Sequence, residues 1–178
     1  MKFNWLLDNG HGGIKDGEYV TAPAKMYTFE DGTTIYEGDF NRRVVAKIAK
    51  GLEENLITYT IIVPELDDIS LRERIRRANE YKQSVLVSVH GNAGKGTGFE
   101  VFTSRGETKS DPIATVFIEE LEREFPEMVM RTDLSDGDKD KEAGFYMLSK
   151  SWMPAVLSEN GFMDRYKDAK MMISDEGQ

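Results

Sequence analysis

The sequence predicts an α/β domain of three layers, a mainly parallel but mixed twisted sheet with helices on both faces. Three observations carry that prediction. Short apolar runs alternate with amphipathic stretches along the whole chain. One run, SVLVSVH at 84–90, is apolar or β-branched at nearly every position, as a strand buried on both faces must be. The 178 residues, 39% of them apolar, suffice for one core, and no repeat, low-complexity tract or linker divides them.

Taken in order, FNWLL at 3–7 reads as a strand because an aromatic-rich apolar run ends in the turn signal Asp8-Asn9-Gly10. EGDFNRRVVAKIAKGLEENL at 37–56 places Phe40, Val44, Val45, Ile48, Leu52 and Leu56 on one helical face and charges on the other, which predicts a crossover helix. YTIIVPE at 59–65 is a second buried strand stopped by Pro64. A second helix is expected over 68–82, with Ser70 and Glu73 at capping-box spacing. The SVLVSVH strand follows and delivers His90 at its end.

GFEVFTS at 98–104 alternates as a neighbouring strand should, and the short loop GNAGKGT before it suggests an antiparallel partner. DPIATVFIEELEREF at 111–125 predicts a helix with Asp111 as N-cap, Pro112 in first position, and Ile113, Val116, Phe117, Leu121 and Phe125 inward. DLSDGDKDKEAG is a charged loop, FYMLS at 145–149 a short strand, and PAVLSE at 154–159 a buried strand ending on Glu159. The tail RYKDAKMMIS reads as a helix that has barely begun.

A formal charge of −9, from 32 acids against 23 bases, disfavours nucleic acid and anionic membrane surfaces as partners. No apolar run approaches a membrane span, and the first residues lack the apolar core of a signal peptide. With no cysteine, disulfides, thiol nucleophiles and thiolate metal sites are all excluded, so a metal would need His, carboxylate or backbone oxygen.

The chain has two histidines, His11 and His90, and both follow apolar runs and border glycine. One histidine beside a glycine is ordinarily a turn residue with a solvated ring. Two in equivalent places are more informative, because in open α/β sheets the functional crevice lies beyond the carboxyl ends of the strands. A catalytic zinc site needs three protein ligands with one position open, so two imidazoles require a third group. Glu37, at the start of the crossover helix near the same edge, is the candidate, though spacing alone hardly separates it from the other acids. Glu159 lies between a buried run and a Gly-Phe turn, where partial desolvation raises a carboxyl pKa and suits acid/base work. Arg74 and Asn79 are candidates to brace the sheet edge, and Asp8 to brace the first turn or orient the ring. The GNAGKGTG loop lacks phosphate-loop spacing and is followed by strand.

Together these segments resemble the zinc-dependent N-acetylmuramoyl-L-alanine amidases of the amidase_3 type. The matching motifs are LLDNGHGG (6–13), YEGDFN (36–41), SLRERIRRAN (70–79), SVHGNAGKGTGFEVF (88–102) and PAVLSENGFM (154–163), in order over essentially the whole chain. The resemblance implies one zinc ion per chain held by His11, Glu37 and His90, with Glu159 as the catalytic acid/base. It implies peptidoglycan, as a muramyl peptide, as substrate, and a monomer made in the cytoplasm that acts on the cell wall. The cysteine-free compact layout is most similar to phage or prophage enzymes of Bacteroidetes-type bacteria. Asn9 and Asn160 depart from the family's usual residues, and the family's last helix is longer than the one expected here, which would be short or cut. A zinc peptidase acting on cell-wall peptides and a catalytically silent peptidoglycan-binding homologue remain as alternatives, the second weakened by retention of both glutamates. The long segment 13–36 brings Tyr19, Tyr27, Phe29 and Tyr36 either to a substrate wall or to a loop packed on its own aromatics.

Overall fold

The computed structural model describes residues 3–22 and 25–178; the remainder of the N-terminal segment and of the 13–36 loop lies outside the described residues. In chain order the elements are β1 (Asn4–Asn9), β2 (Ile14–Lys15), β3 (Glu18–Tyr19), β4 (Met26–Thr28), β5 (Thr34–Tyr36), α1 (Glu37–Glu54), β6 (Tyr59–Ile61) and α2 (Leu71–Ala78). They continue with β7 (Ser84–Asn92), β8 (Phe99–Thr103), α3 (Asp111–Glu124), β9 (Lys141–Glu142), α4 (Tyr146–Ser149), β10 (Ala155–Phe162) and α5 (Tyr166–Ile173). The main sheet has the order β6-β1-β7-β10-β8-β9. It is parallel except where β8 runs antiparallel to β10. The expected mixed α/β sheet is therefore the observed one.

Strand pleating sends alternate residues to opposite faces, and each face has its own core. Leu6, Leu86 and Leu157 meet Ile75 and Ala78 of α2 and Met147 and Leu148 of α4. Leu7, Val85, Val87, Val89 and Val156 face Val45 and Ala49 of α1 and Ala114 and Ile118 of α3. Each fully buried Leu or Val contributes roughly 1.5–3 kcal/mol over leaving it in water. A third cluster, Phe40, Met163, Ala169 and Met172, seats α5 against the start of α1. No helix among the described residues is long and apolar enough to cross a membrane.

Several expectations need correction. GFEVFTS does not pair with β7, because β10 lies between them. β10 pairs with β7 on one side and with β8 on the other, and β8, itself buried except at the half-buried Phe102, borders β9 beyond it. The loop 93–98 crosses the end of β10 and is strapped there: Gly94 and Lys95 N–H donate to Asp164, Thr97 Oγ1 and Gly98 N to Asp168. FYMLS is helical over Tyr146–Ser149, with only Phe145 extended, because a turn there sets Met147 and Leu148 side by side into the core.

Ser110, not Asp111, is the N-cap of α3, and the Asp111 carboxylate instead accepts from Thr108 N at 2.6 Å and Oγ1 at 2.8 Å. Val116 is exposed, and Ala114 and Ile118 take the inward line. Leu56 falls beyond the end of α1 and is 89% exposed. The helix expected over 68–82 is shorter, Leu71–Ala78, but Ser70 caps it, its Oγ accepting from Glu73 N at 3.3 Å.

Candidate metal centre

The carboxyl ends of β1, β7 and β10 meet at one edge. In register, Asp8 lies beside Ser88, and His90 beside Glu159, so the strands deliver these side chains to a common place. At Glu159 the pairing with β7 slips, with three steps on β10 against two on β7 before Phe162 meets Asn92. Gly161 takes φ +88° in that bulge, a conformation glycine adopts without steric cost. Asn160, one of the departures from the family pattern, donates from Nδ2 to the His90 carbonyl at 3.0 Å and steadies the bulge.

His11 lies two residues past β1 with φ +67°, left-handed for a residue with a side chain. Two guanidinium groups hold that turn. Arg42 Nη1 donates to the His11 carbonyl at 2.9 Å, and Arg74 Nη2 donates to the same oxygen at 3.0 Å. Arg74 is 1% exposed and also donates to Asp8 Oδ1 at 2.7 Å, to the Asn9 carbonyl at 3.1 Å and from Nε to the Ile69 carbonyl at 2.8 Å. Asp8 takes a second hydrogen bond from Ser88 Oγ at 2.6 Å, so it braces the turn and does not orient the imidazole. Arg74 thus points inward as expected. Asn79 serves elsewhere, donating to the Lys150 carbonyl and accepting from Trp152 N.

Glu37, the first residue of α1, is 1% exposed and lies between the two histidines. Its Oε1 is 3.1 Å from His11 Nε2 and 3.0 Å from His90 Nδ1. The three donor atoms lie within 4.8 Å of one another, and these residues could hold a metal ion. Donors about 2.1 Å from a shared tetrahedral centre lie roughly 3.4 Å apart, close to the two shorter separations. His11 Nε2 and Glu37 Oε2 are buried without a hydrogen-bond partner, although the first is within ion-pair distance of Glu37. Such orphaned donors cost free energy unless something pairs with them, and two imidazoles and a carboxylate are a donor set that suits a divalent transition metal. The residues fit the ion.

The electrostatics follow from this crowding. Burial opposes ionisation of Glu37, but the two imidazoles against its carboxylate hold it well below the usual carboxylate range. Burial alone would lower the pKa of His90, yet its hydrogen bond to Glu37 and the charges of Glu159 and Glu37 raise it overall. Glu159 is pushed up to about 7, first by burial and then by the charges of Glu37 and Glu100, against the pull of His90 and Lys25. Its Oε2 is buried with no partner.

His11, His90 and Glu159 share a cavity of about 220 Å³ with Lys25, walled by Leu71 and Tyr146. Spacing along the sequence does not single out two further residues here. Arg42 follows Gly38 by one helical turn, a signal that was present but read as surface charge. Lys25 lies in the 13–36 loop, where no periodicity could have marked it. Of that loop's aromatics, Tyr19 packs on Tyr36 with ring centres 4.9 Å apart, and Tyr27 on Phe29 at 4.8 Å, so the described part is packed largely on itself.

Fold and site together define an α/β protein with three donor side chains at the sheet edge that could hold a metal ion and a carboxyl of raised pKa beside them. The chain belongs to the Amidase_3 family, described as N-acetylmuramoyl-L-alanine amidase, whose model matches residues 6–178. It is 27% identical over 171 residues to the sporulation-specific N-acetylmuramoyl-L-alanine amidase of Bacillus subtilis, covering 94% of this chain and 59% of that protein. It is 28% identical to the endolysin of Bacillus phage SPP1, covering 98% of this chain and 59% of the relative. The chain thus spans somewhat over half the length of these relatives. The crystal structure of an N-acetylmuramoyl-L-alanine amidase from Clostridium difficile 630 superposes with a TM-score of 0.77 at 25% identity, covering 99% of this chain and 88% of that one.

Proposed function

We propose that the chain hydrolyses the amide joining the lactyl group of N-acetylmuramic acid to L-alanine in peptidoglycan, with one zinc ion held by His11, Glu37 and His90. The observation that carries this reading is the convergence of those three donors and the raised Glu159 carboxyl on one cavity. The family membership and the wall-directed names of the relatives agree with it. Those relatives come from Bacillus and a Bacillus phage and lend no support to a Bacteroidetes-type origin.

Zinc bound there supplies a Lewis acid that brings water ionisation toward neutral pH. The chain's own groups do the rest. Glu159 takes a proton from the attacking water as the water oxygen adds to the acyl carbon, and returns it to the departing nitrogen as the C–N bond breaks. Its desolvation brings the carboxyl pKa close to neutral pH, which suits both taking and returning the proton. Arg74, Arg42 and Asp8 hold the His11 turn, and Asn160 the His90 carbonyl, so the donors need little rearrangement to bind. The chain works as a monomer at the cell wall in this reading, and its charge of −9 keeps it off polyanions.

The test is to incubate the protein with purified peptidoglycan, with and without a chelator, and to identify the products by mass spectrometry. Peptides with free L-alanine amino termini that vanish on chelation and return with zinc are the expected result. Cuts only inside the peptide would make it a zinc peptidase. Binding without any product would make it a silent homologue.

A further inference from the structure

We propose that Lys25 contacts the substrate, its ammonium donating a hydrogen bond to the amide carbonyl oxygen as negative charge develops there. The inference rests on the amidase reading above and adds a residue to it. Lys25 Nζ is 3.4 Å from Glu37 Oε2 and faces the same cavity as His11, His90 and Glu159. Among the described residues lining that cavity it is the one lysine or arginine.

The donors of the Lys25 ammonium are not used up. Glu37 Oε2 has no hydrogen-bond partner despite the nearby ammonium, so the approach is an ion pair without a formed hydrogen bond. The Lys25 side chain is 40% exposed, so its ammonium can be reached from solvent. A lysine carries three rotatable N–H donors and can turn one toward a new acceptor while keeping its attraction to Glu37.

The loop also holds Lys25 in place. Tyr19 Oη donates to the Lys25 carbonyl at 2.9 Å and accepts from Gly38 N at 3.1 Å, which ties the lysine to the first turn of α1 beside Glu37. Tyr19 is itself packed on Tyr36, and Lys25 N donates to the Ala22 carbonyl at 2.9 Å. The aromatic packing of the segment thus serves to present a cation.

The chemistry needs such a group. When the water oxygen bonds to the acyl carbon, the carbonyl electron pair moves onto oxygen. It returns when the C–N bond breaks, and the nitrogen takes the proton that Glu159 removed from water. Lys25 transfers no proton; it offers positive charge where the oxygen becomes negative, an interaction that grows in the transition state.

The experiment compares zinc-loaded wild type, Lys25→Met and Lys25→Arg on soluble muropeptides from purified peptidoglycan, with zinc affinity measured by a competing chelator and folding by circular dichroism. Lys25→Met is expected to lower kcat by about 10- to 100-fold, somewhat below the loss of a fully buried oxyanion donor, with KM and zinc affinity within about twofold. Lys25→Arg should recover at least about a tenth of the wild-type rate. A raised KM with kcat intact would mean that Lys25 holds a peptide carboxylate instead, and a drop in zinc affinity that accounts for the lost activity would reduce it to neutralising Glu37. Either overturns the proposal, as does an unchanged kcat in an active background. A wild type that binds zinc yet releases nothing overturns the amidase reading and this inference with it.

Discussion

Arg74 and Asp8 form an ion pair at 2.7 Å with both side chains 2% exposed or less. The same guanidinium donates to the His11 carbonyl, so the pair couples the buried sheet edge to the turn that presents His11.

Removing one member of such a pair leaves a buried charge uncompensated, which typically costs about 3–5 kcal/mol. Arg74→Met is therefore expected to lose about that much unfolding free energy in urea. Adding Asp8→Asn should return part of it, since the stranded charge is then gone. A loss under about 1 kcal/mol would contradict the account of this network.

His90→Ala and Glu159→Gln separate metal binding from turnover. The first removes a donor, and zinc measured by elemental analysis should fall below one per chain. The second keeps all three donors and should retain zinc while losing at least about 100-fold in kcat, the usual scale of general acid/base catalysis. Full activity in Glu159→Gln would overturn its assignment.

Gly10 has no room for a side chain, because a Cβ there would overlap the His90 ring. Gly10→Ala should displace that ring and weaken zinc binding by at least about tenfold, while far-ultraviolet circular dichroism stays near wild type. Retained zinc affinity would show that the ring can shift without loss.

The metal-free chain should show the raised Glu159 pKa as a stability trend. The folded state holds this proton up to about pH 7, against an ordinary value of 4.5. The associated stabilisation is complete below 4.5 and is lost as pH rises through 7. Chelator-treated wild type should thus lose up to about 3 kcal/mol relative to Glu159→Gln across that window. A pH-independent difference would remove the basis for the shift.

Zinc affinity has its own pH dependence. Imidazole donors must be neutral to bind, and the His90 pKa is raised above its ordinary 6.5 by Glu37 and Glu159. Apparent affinity in a chelator competition should accordingly begin to weaken above pH 6.5 as the medium is acidified. Affinity unchanged down to pH 5.5 would argue against imidazole ligation.

Patterning determined the α/β class, α1, β7, the Ser70 cap and the placing of His11 just past β1, because period and turn chemistry are local properties; β7 and β10 run on past His90 and Glu159, to Asn92 and Phe162. The same local signal misread FYMLS, where a four-residue run has no resolvable period and packing of Met147 and Leu148 chose helix. It also misplaced GFEVFTS, since a strand pattern does not tell which strand it borders. Only the tertiary structure brought Glu37 within 3.1 Å of both imidazoles, gave His11 its two guanidinium anchors and set Lys25 beside Glu37. Those contacts join residues far apart in the chain, and their strength depends on distance and burial that no spacing along the sequence encodes.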